Sequence, residues 1–185
     1  MKDKKKGPSY DYIAQVGKLI AALKDVRANA VLVGGMALVV RGSQRVTKDF
    51  DLLISECLRQ NRELMQLFYT HGFELVSKLN AMGEVVRTVD NHRVAYAKLQ
   101  KDKVQSIYFY HPKSGLRVDV LFDFPLKAEE VFKRAQRKKI QSFDFYIASI
   151  QDMVAMKEIA FENRQSAKDQ QDLEFLRHLL KQDPS

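Results

Sequence analysis

The chain has 185 residues, 45% hydrophobic and 29% charged, a composition that excludes a disordered or fibrous protein and suits one domain. Its single cysteine, Cys57, rules out an intramolecular disulfide and a cysteine-rich metal site. Lysine and arginine outnumber aspartate and glutamate 31 to 23, for a net charge of +8. That balance favours polyanionic partners such as nucleoside triphosphates, RNA or acidic lipid surfaces, and equally suits a protein kept soluble by self-repulsion.

Residues 1–8, with four lysines among residues 2–6, read as a disordered basic head. No apolar leader follows Met1, and the longest apolar run, Ala30 to Val40, is broken by two glycines and too short for a bilayer. A cytoplasmic protein without a membrane partner is the expectation.

From Ser9 to Val26, Ile13, Val16, Ile20 and Leu23 recur at helical spacing. Ala30 to Val33 reads as a buried strand entering a turn at Gly34-Gly35, after which Met36 to Val40 form a short helix ended by Gly42. Asp49 to Ile54 is the next strand. A helix over Leu58 to Tyr69 is capped by Gly72. The stretch Phe73 to Phe124 is mostly extended, with strands at Val94–Leu99, Val104–Tyr110 and Leu116–Phe122, the last two joined by a hairpin loop at His111–Gly115. Lys127 to Gln136 reads as a helix and Ile140 to Ile147 as a strand. Two closing helices start at Ser149 and Ser166, each with an aspartate three residues on, as in a capping box. The fold class is α+β: a mixed sheet flanked by helices. Residues 9–148 form the core and residues 149–182 a helical hairpin packed on it as one compact unit.

The chemistry concentrates between Val31 and Ile54. A glycine pair follows a strand, and after a gap of thirteen residues comes Asp49-Phe50-Asp51. Alternation along a strand sends Asp49 and Asp51 to one face and Phe50 and Leu52 to the other. Two adjacent carboxylates raise each other's pKa unless a cation compensates them. Magnesium suits such oxygen ligands, since it keeps waters and phosphate oxygens in its remaining positions. A solvated strand end is the blander alternative. Glycines let a main chain approach a ligand closely, and a helix opening at Met36 would aim free N–H groups at a phosphate. A third carboxylate, Asp119, is flanked by valines on a strand that reads as buried, so it needs a partner or a metal. Asp123 reads as a strand end in solvent. Three carboxylates on neighbouring strands can hold two divalent ions about 4 Å apart.

These residues resemble the nucleotidyltransferase superfamily related to DNA polymerase β. Val33-Gly34-Gly35, Asp49-Phe50-Asp51-Leu52 and Val118-Asp119-Val120 match its three elements. The lead-in Arg45-x-Thr47-x-Asp49, with Lys157, Arg164 and Lys168-Asp169-x-x-Asp172, is similar to the small bacterial branch of AbiEii-type toxins. The resemblance implies transfer of a nucleoside monophosphate from a nucleoside triphosphate to a hydroxyl, with release of pyrophosphate. Asp49 and Asp51 would bind two magnesium ions, and Asp119 would hold the catalytic one. Gly34 and Gly35 would cradle the triphosphate, and Lys157 and Asp169 match helical residues near the nucleotide. Lys157 as a solvated lysine and Asp169 as a helix-start acid remain open.

Arg41, Arg45 and Lys48 lie between the glycines and the aspartates, and Arg45 and Lys48 are the preferred pair to meet a triphosphate. Lys133-Arg134 and Arg137-Lys138-Lys139 suit either an RNA backbone or the last turn of a helix and the loop after it. Tyr108, Phe109 and Tyr110 suit either base stacking or strand packing. The resemblance and the basic body point to RNA, with tRNA the first candidate, as acceptor for a toxin-like or defence enzyme with a cognate antitoxin. Alternatives are a small hydroxyl acceptor such as an aminoglycoside, and a member that binds nucleotide or a partner without turnover.

Overall fold

In the computed structural model, residues 10–101 and 104–182 are described; the head expected over residues 1–8 lies outside them. Among the described residues the chain forms one eight-stranded sheet and seven α-helices. Helix α1 (Tyr12–Leu23) opens on Asp11, whose carboxylate accepts the Ala14 N–H at 2.9 Å, and buries Val16, Leu19, Ile20 and Leu23. Strand β1 (Val31–Val33) is buried at every position and runs directly into α2 (Gly34–Val40), which begins at Gly34 itself rather than at Met36. Strand β2 (Phe50–Ile54) follows, with Asp49 one residue before it.

Helix α3 (Arg62–Thr70) is capped by Asn61 and turned off at Gly72, whose φ of +81° suits only glycine well. Strands β3 (Glu74–Leu79) and β4 (Val85–Val89) form an antiparallel hairpin. The expected strand at Val94–Leu99 is instead part of helix α4 (His92–Lys101). Asn91 caps it, accepting from Arg93 and Val94, while Ala95 and Leu99, four apart, are buried and Val94 is 57% exposed. The i, i+4 period beats the local β propensity of the valine and tyrosine.

Strands β5 (Ser106–His111) and β6 (Leu116–Phe122) form the expected hairpin. Helix α5 (Ala128–Arg134) ends before Gln136, and Gln136–Ile140 is a strand, β7, antiparallel to β8 (Phe143–Ile147). Arg137, Lys138 and Lys139 therefore sit on an edge strand, not in a loop. Its polar sequence hides it, and edge lysines discourage pairing with another sheet. Helix α6 (Ile150–Arg164) opens with a reciprocal cap between Ser149 and Asp152 and packs antiparallel to α7 (Ala167–Gln182).

The strand order is β4-β3-β5-β6-β2-β1-β8-β7. Strand β1 runs antiparallel to β2 and parallel to β8; β2 runs parallel to β6. One face of the central strands carries Phe50, Leu52, Ile54, Val118 and Val120, all buried. On that side Phe109 stacks on Phe68 of α3 with ring centroids 3.8 Å apart. The other face carries the aspartates. No helix among the described residues is long and apolar enough to cross a membrane.

Candidate active site

The register of β2 and β6 pairs Asp51 with Asp119, so two strands distant in sequence place their carboxylates on one face. On the other side of β2, Asp51 is the partner of Val33, the residue before the glycine turn. Gly34 has φ +62°, and a Cβ there would lie 2.1 Å from Asp51 Oδ2. Glycine is thus required twice, by backbone conformation and by the carboxylate against it. The Gly35 N–H donates to Asp51, and a Cβ on Gly35 would crowd Arg45 and Thr47.

These groups line one cleft of about 600 Å³, walled by Gly34, Gly35, Asp49, Asp51 and Asp119 on one side and Lys157 of α6 on the other. Asp119 is 5% exposed, and Asp49 lies partly exposed at the mouth. Burial, then the Asp49 charge, pushes the Asp51 carboxyl above the usual carboxylate range. Burial and the Asp51 charge push Asp119 up to about 7, against the pull of Arg117. These are the mutual effects expected of crowded carboxylates in a poorly solvated place.

Arg117 is the cation now among them. It donates from Nε and Nη2 to the two Asp119 oxygens at 2.9 and 3.0 Å, and Nη2 lies 3.4 Å from Asp49 Oδ2. No motif in the sequence singles it out, although an arginine two residues before Asp119 on a strand shares its face. Among the described residues no three His, Cys, Asp or Glu side chains converge as a ready metal-ligand set. The donor chemistry nevertheless fits a hard cation: oxygen donors only, two of them register partners, with raised affinity for positive charge.

Opposite lies a chain of charges built around two buried aspartates. Lys157 donates to Asp169 at 2.9 Å and to Asp172 at 2.7 Å; Asp172 also pairs with Arg45 at 2.6 Å, and Asp169 with Arg164 at 3.2 Å. Asp169 and Asp172 are 4% and 5% exposed. Lys157 is thus no solvated helix lysine, and Asp169 turns to cations instead of completing a capping box. Lys157 still lines the cleft and lowers the Asp51 pKa through its charge.

The other expected cations part company. Arg45 lines the cleft; Lys48 is exposed and does not. Arg41 braces the end of β8, donating to the Ala148 carbonyl at 2.5 Å and to Gln136 at 3.3 Å. Asp123 is no solvated strand end: its carboxylate accepts the Glu56 N–H at 3.0 Å and the Ala128 N–H at 2.7 Å.

Solved structures of similar fold include the antibiotic-resistance factor ANT(2'')-Ia in solution, 12% identical over 91% of this chain and 83% of that one, TM-score 0.57. A nucleotidyltransferase structure from Thermotoga maritima is 12% identical over 98% and 99%, TM-score 0.52. The lincomycin-bound lincosamide antibiotic adenylyltransferase LnuA is 11% identical over 89% and 95%, TM-score 0.51. At such identity the likeness establishes the fold, a nucleotidyltransferase fold. The sequence goes further. Residues 18–184 match the model of the AbiEii family, nucleotidyl transferase toxins of type IV toxin–antitoxin systems, and the chain belongs to that family. It is therefore a nucleotidyltransferase. No curated protein matches the sequence.

Proposed function

We propose that this enzyme moves a nucleoside monophosphate from a nucleoside triphosphate onto a hydroxyl of RNA, tRNA first, and releases pyrophosphate. The observation that carries the reading is the pairing of Asp51 with Asp119 beside the glycine turn, in a cleft shared with Lys157. Asp49, Asp51 and Asp119 would hold magnesium, which supplies charge neutralisation on the phosphates and a lowered pKa for an attacking hydroxyl. The family description motivates a toxin role, with a cognate antitoxin counteracting it.

This chain's own residues divide the work. Gly34 and Gly35 add no side chain of their own to the cleft wall, which lets a triphosphate come close to the main chain there. Arg45, Lys157, Arg164 and Lys168 line the same cleft and match a polyphosphate in charge. Asp169 fixes Lys157. Asp119, the register partner of Asp51 on the cleft wall, would help take the proton of the acceptor hydroxyl. The oxygen attacks the α-phosphorus, an O–P bond forms, and the bond to the β-phosphate oxygen breaks as pyrophosphate leaves. Arg117 has to release Asp119 for this, and its guanidinium is then free to meet the acceptor's phosphates.

The fold likeness to two antibiotic-modifying structures supports a second reading, a small hydroxyl acceptor such as an aminoglycoside. Incubation with each α-labelled nucleoside triphosphate, magnesium and either total tRNA or an aminoglycoside separates the two. Label on RNA that is lost in Asp51→Ala is the expected result. Label on the drug alone moves the assignment to the second reading. Nucleotide binding without transfer to any acceptor removes both.

A further inference from the structure

Strand β5 separates its three aromatic residues. Phe109 goes to the core at 1% exposure, whereas Tyr108 and Tyr110 go to the aspartate face and are half-buried. Tyr108 is the register partner of Asp119, and Tyr110 of Arg117. Further along this face, Glu74, Val76 and Thr88 are also only partly covered, while Leu75 and Ile107 behind them are buried. Among the described residues neither tyrosine hydroxyl has a hydrogen-bond partner. From the aspartates toward β4, this side of the sheet is therefore the less covered of the two.

Cations frame this face. The Arg117 guanidinium lies over the Tyr108 ring, 5.3 Å from its centroid, and Lys113 is exposed beyond Tyr110. The β3–β4 hairpin is held alongside by Arg117, whose Nη1 donates to the Gly83 carbonyl at 3.3 Å. Its tip presents Met82 at 80% exposure. Against these, Glu74 beside Tyr110 is the acidic neighbour, and Thr88 holds its carboxylate at 2.5 Å.

We infer that this face is the seat of the acceptor, and that it takes the unpaired end of a single-stranded RNA by stacking bases on Tyr108 and Tyr110. The inference rests on the RNA-acceptor reading above. Rings two residues apart on a strand stand roughly 7 Å from each other, so successive splayed bases can each meet one. Stacking needs unpaired bases, because those of a duplex already stack on one another. Continuity with the cleft supplies the direction: a strand lying across Tyr110 and Tyr108 ends at Asp119, the residue that must meet the terminal hydroxyl.

The test measures fluorescence anisotropy of a labelled twelve-nucleotide single-stranded RNA, and of the same sequence as a duplex, on the full chain. Tyr108→Ala and Tyr110→Ala are each expected to weaken single-strand binding about tenfold or more, with both Phe variants within about twofold of the wild type. Nucleotide binding by Tyr110→Ala, which lies outside the triphosphate cleft, should be unchanged. Equal affinity in the Ala variants, Phe variants as weak as the Ala ones, or a duplex bound as tightly as the single strand each overturns the platform. Transfer to RNA, assayed on the same proteins, separates the two levels. Wild-type transfer that survives both Ala variants with an unchanged KM for RNA sinks the platform alone. Tyrosine-dependent RNA binding without any transfer to RNA sinks the acceptor reading alone.

Discussion

Arg45 Nη1 lies 2.6 Å from Asp172 Oδ2, joining the loop before β2 to the middle of α7. Lys157 shares the same carboxylate at 2.7 Å, so one buried aspartate ties α6, α7 and the loop that leads to Asp49 and Asp51. The distance across the cleft is thereby set by charge pairing between its two walls, in addition to apolar packing.

Removing Asp172 leaves Arg45 and Lys157 short of a shared counter-charge in a place with little water. Breaking a buried pair from one side typically costs roughly 3–5 kcal/mol. Asp172→Ala should therefore lower the urea midpoint sharply, and raise the KM for nucleotide as the cleft walls lose register. The double variant Arg45→Met, Asp172→Leu should be markedly less destabilised than the sum of its two singles. Strict additivity would show that the pair does not couple the loop to the helices.

Gly34→Ala meets two obstacles, a left-handed backbone and the Asp51 carboxylate where its Cβ would stand. Gly42, with φ +100° and nothing within 4 Å of a Cβ, is the control for conformation alone. A left-handed non-glycine residue costs about 1–2 kcal/mol, and both variants should lose that much. Only Gly34→Ala should also abolish nucleotide transfer and weaken magnesium binding, because Asp51 must move. Similar activity loss in both would assign the effect to general destabilisation.

The cleft wall is legible in the sequence where chemistry and backbone constraint coincide. Gly34-Gly35, Asp51 and Asp119 stand out because a glycine turn and buried acids are costly unless a ligand compensates them. Pairing across strands was not legible: nothing local says that β2 runs parallel to β6 in the register that faces Asp51 with Asp119. Arg117, Asp123 and the Arg45–Asp172 pair escaped for the same reason, since their partners lie in other elements. Val94–Leu99 misled because valine and tyrosine favour strands locally, whereas burial of Ala95 and Leu99 is a tertiary fact. Gln136–Ile140 offered almost no apolar pattern, as an edge strand beside solvent need not.

Asp123 holds two backbone N–H groups, those of Glu56 and Ala128, and lies away from the cleft. Asp123→Ala removes both acceptors, the second at the start of α5. A loss of roughly 1–2 kcal/mol in denaturant unfolding is expected. Transfer per folded molecule should stay at the wild-type level at 25 °C. A selective loss of metal-dependent activity with normal stability would move Asp123 into the site.

Asp119 gives the protein a definite pH signature. Its carboxyl titrates at about 7 in the fold, against an ordinary value of 3.8, chiefly through burial and then the Asp51 charge. Below about 4 both the folded and the unfolded chain hold this proton. As pH rises from there to about 7 the unfolded chain releases it while the fold keeps it, so this group's contribution to stability declines across that window and is constant above it. At about 1.4 kcal/mol per unit of pKa the decline amounts to a few kcal/mol. Asp119→Asn cannot titrate here, so its Tm relative to wild type should climb between pH 4 and 7 in metal-free buffer and then level off. Magnesium needs the ionised carboxylate, so its stabilisation of the wild type should grow over the same interval and vanish in Asp51→Asn. A magnesium-induced Tm shift of equal size at pH 5 and pH 8 would mean that neither carboxylate ligates the ion.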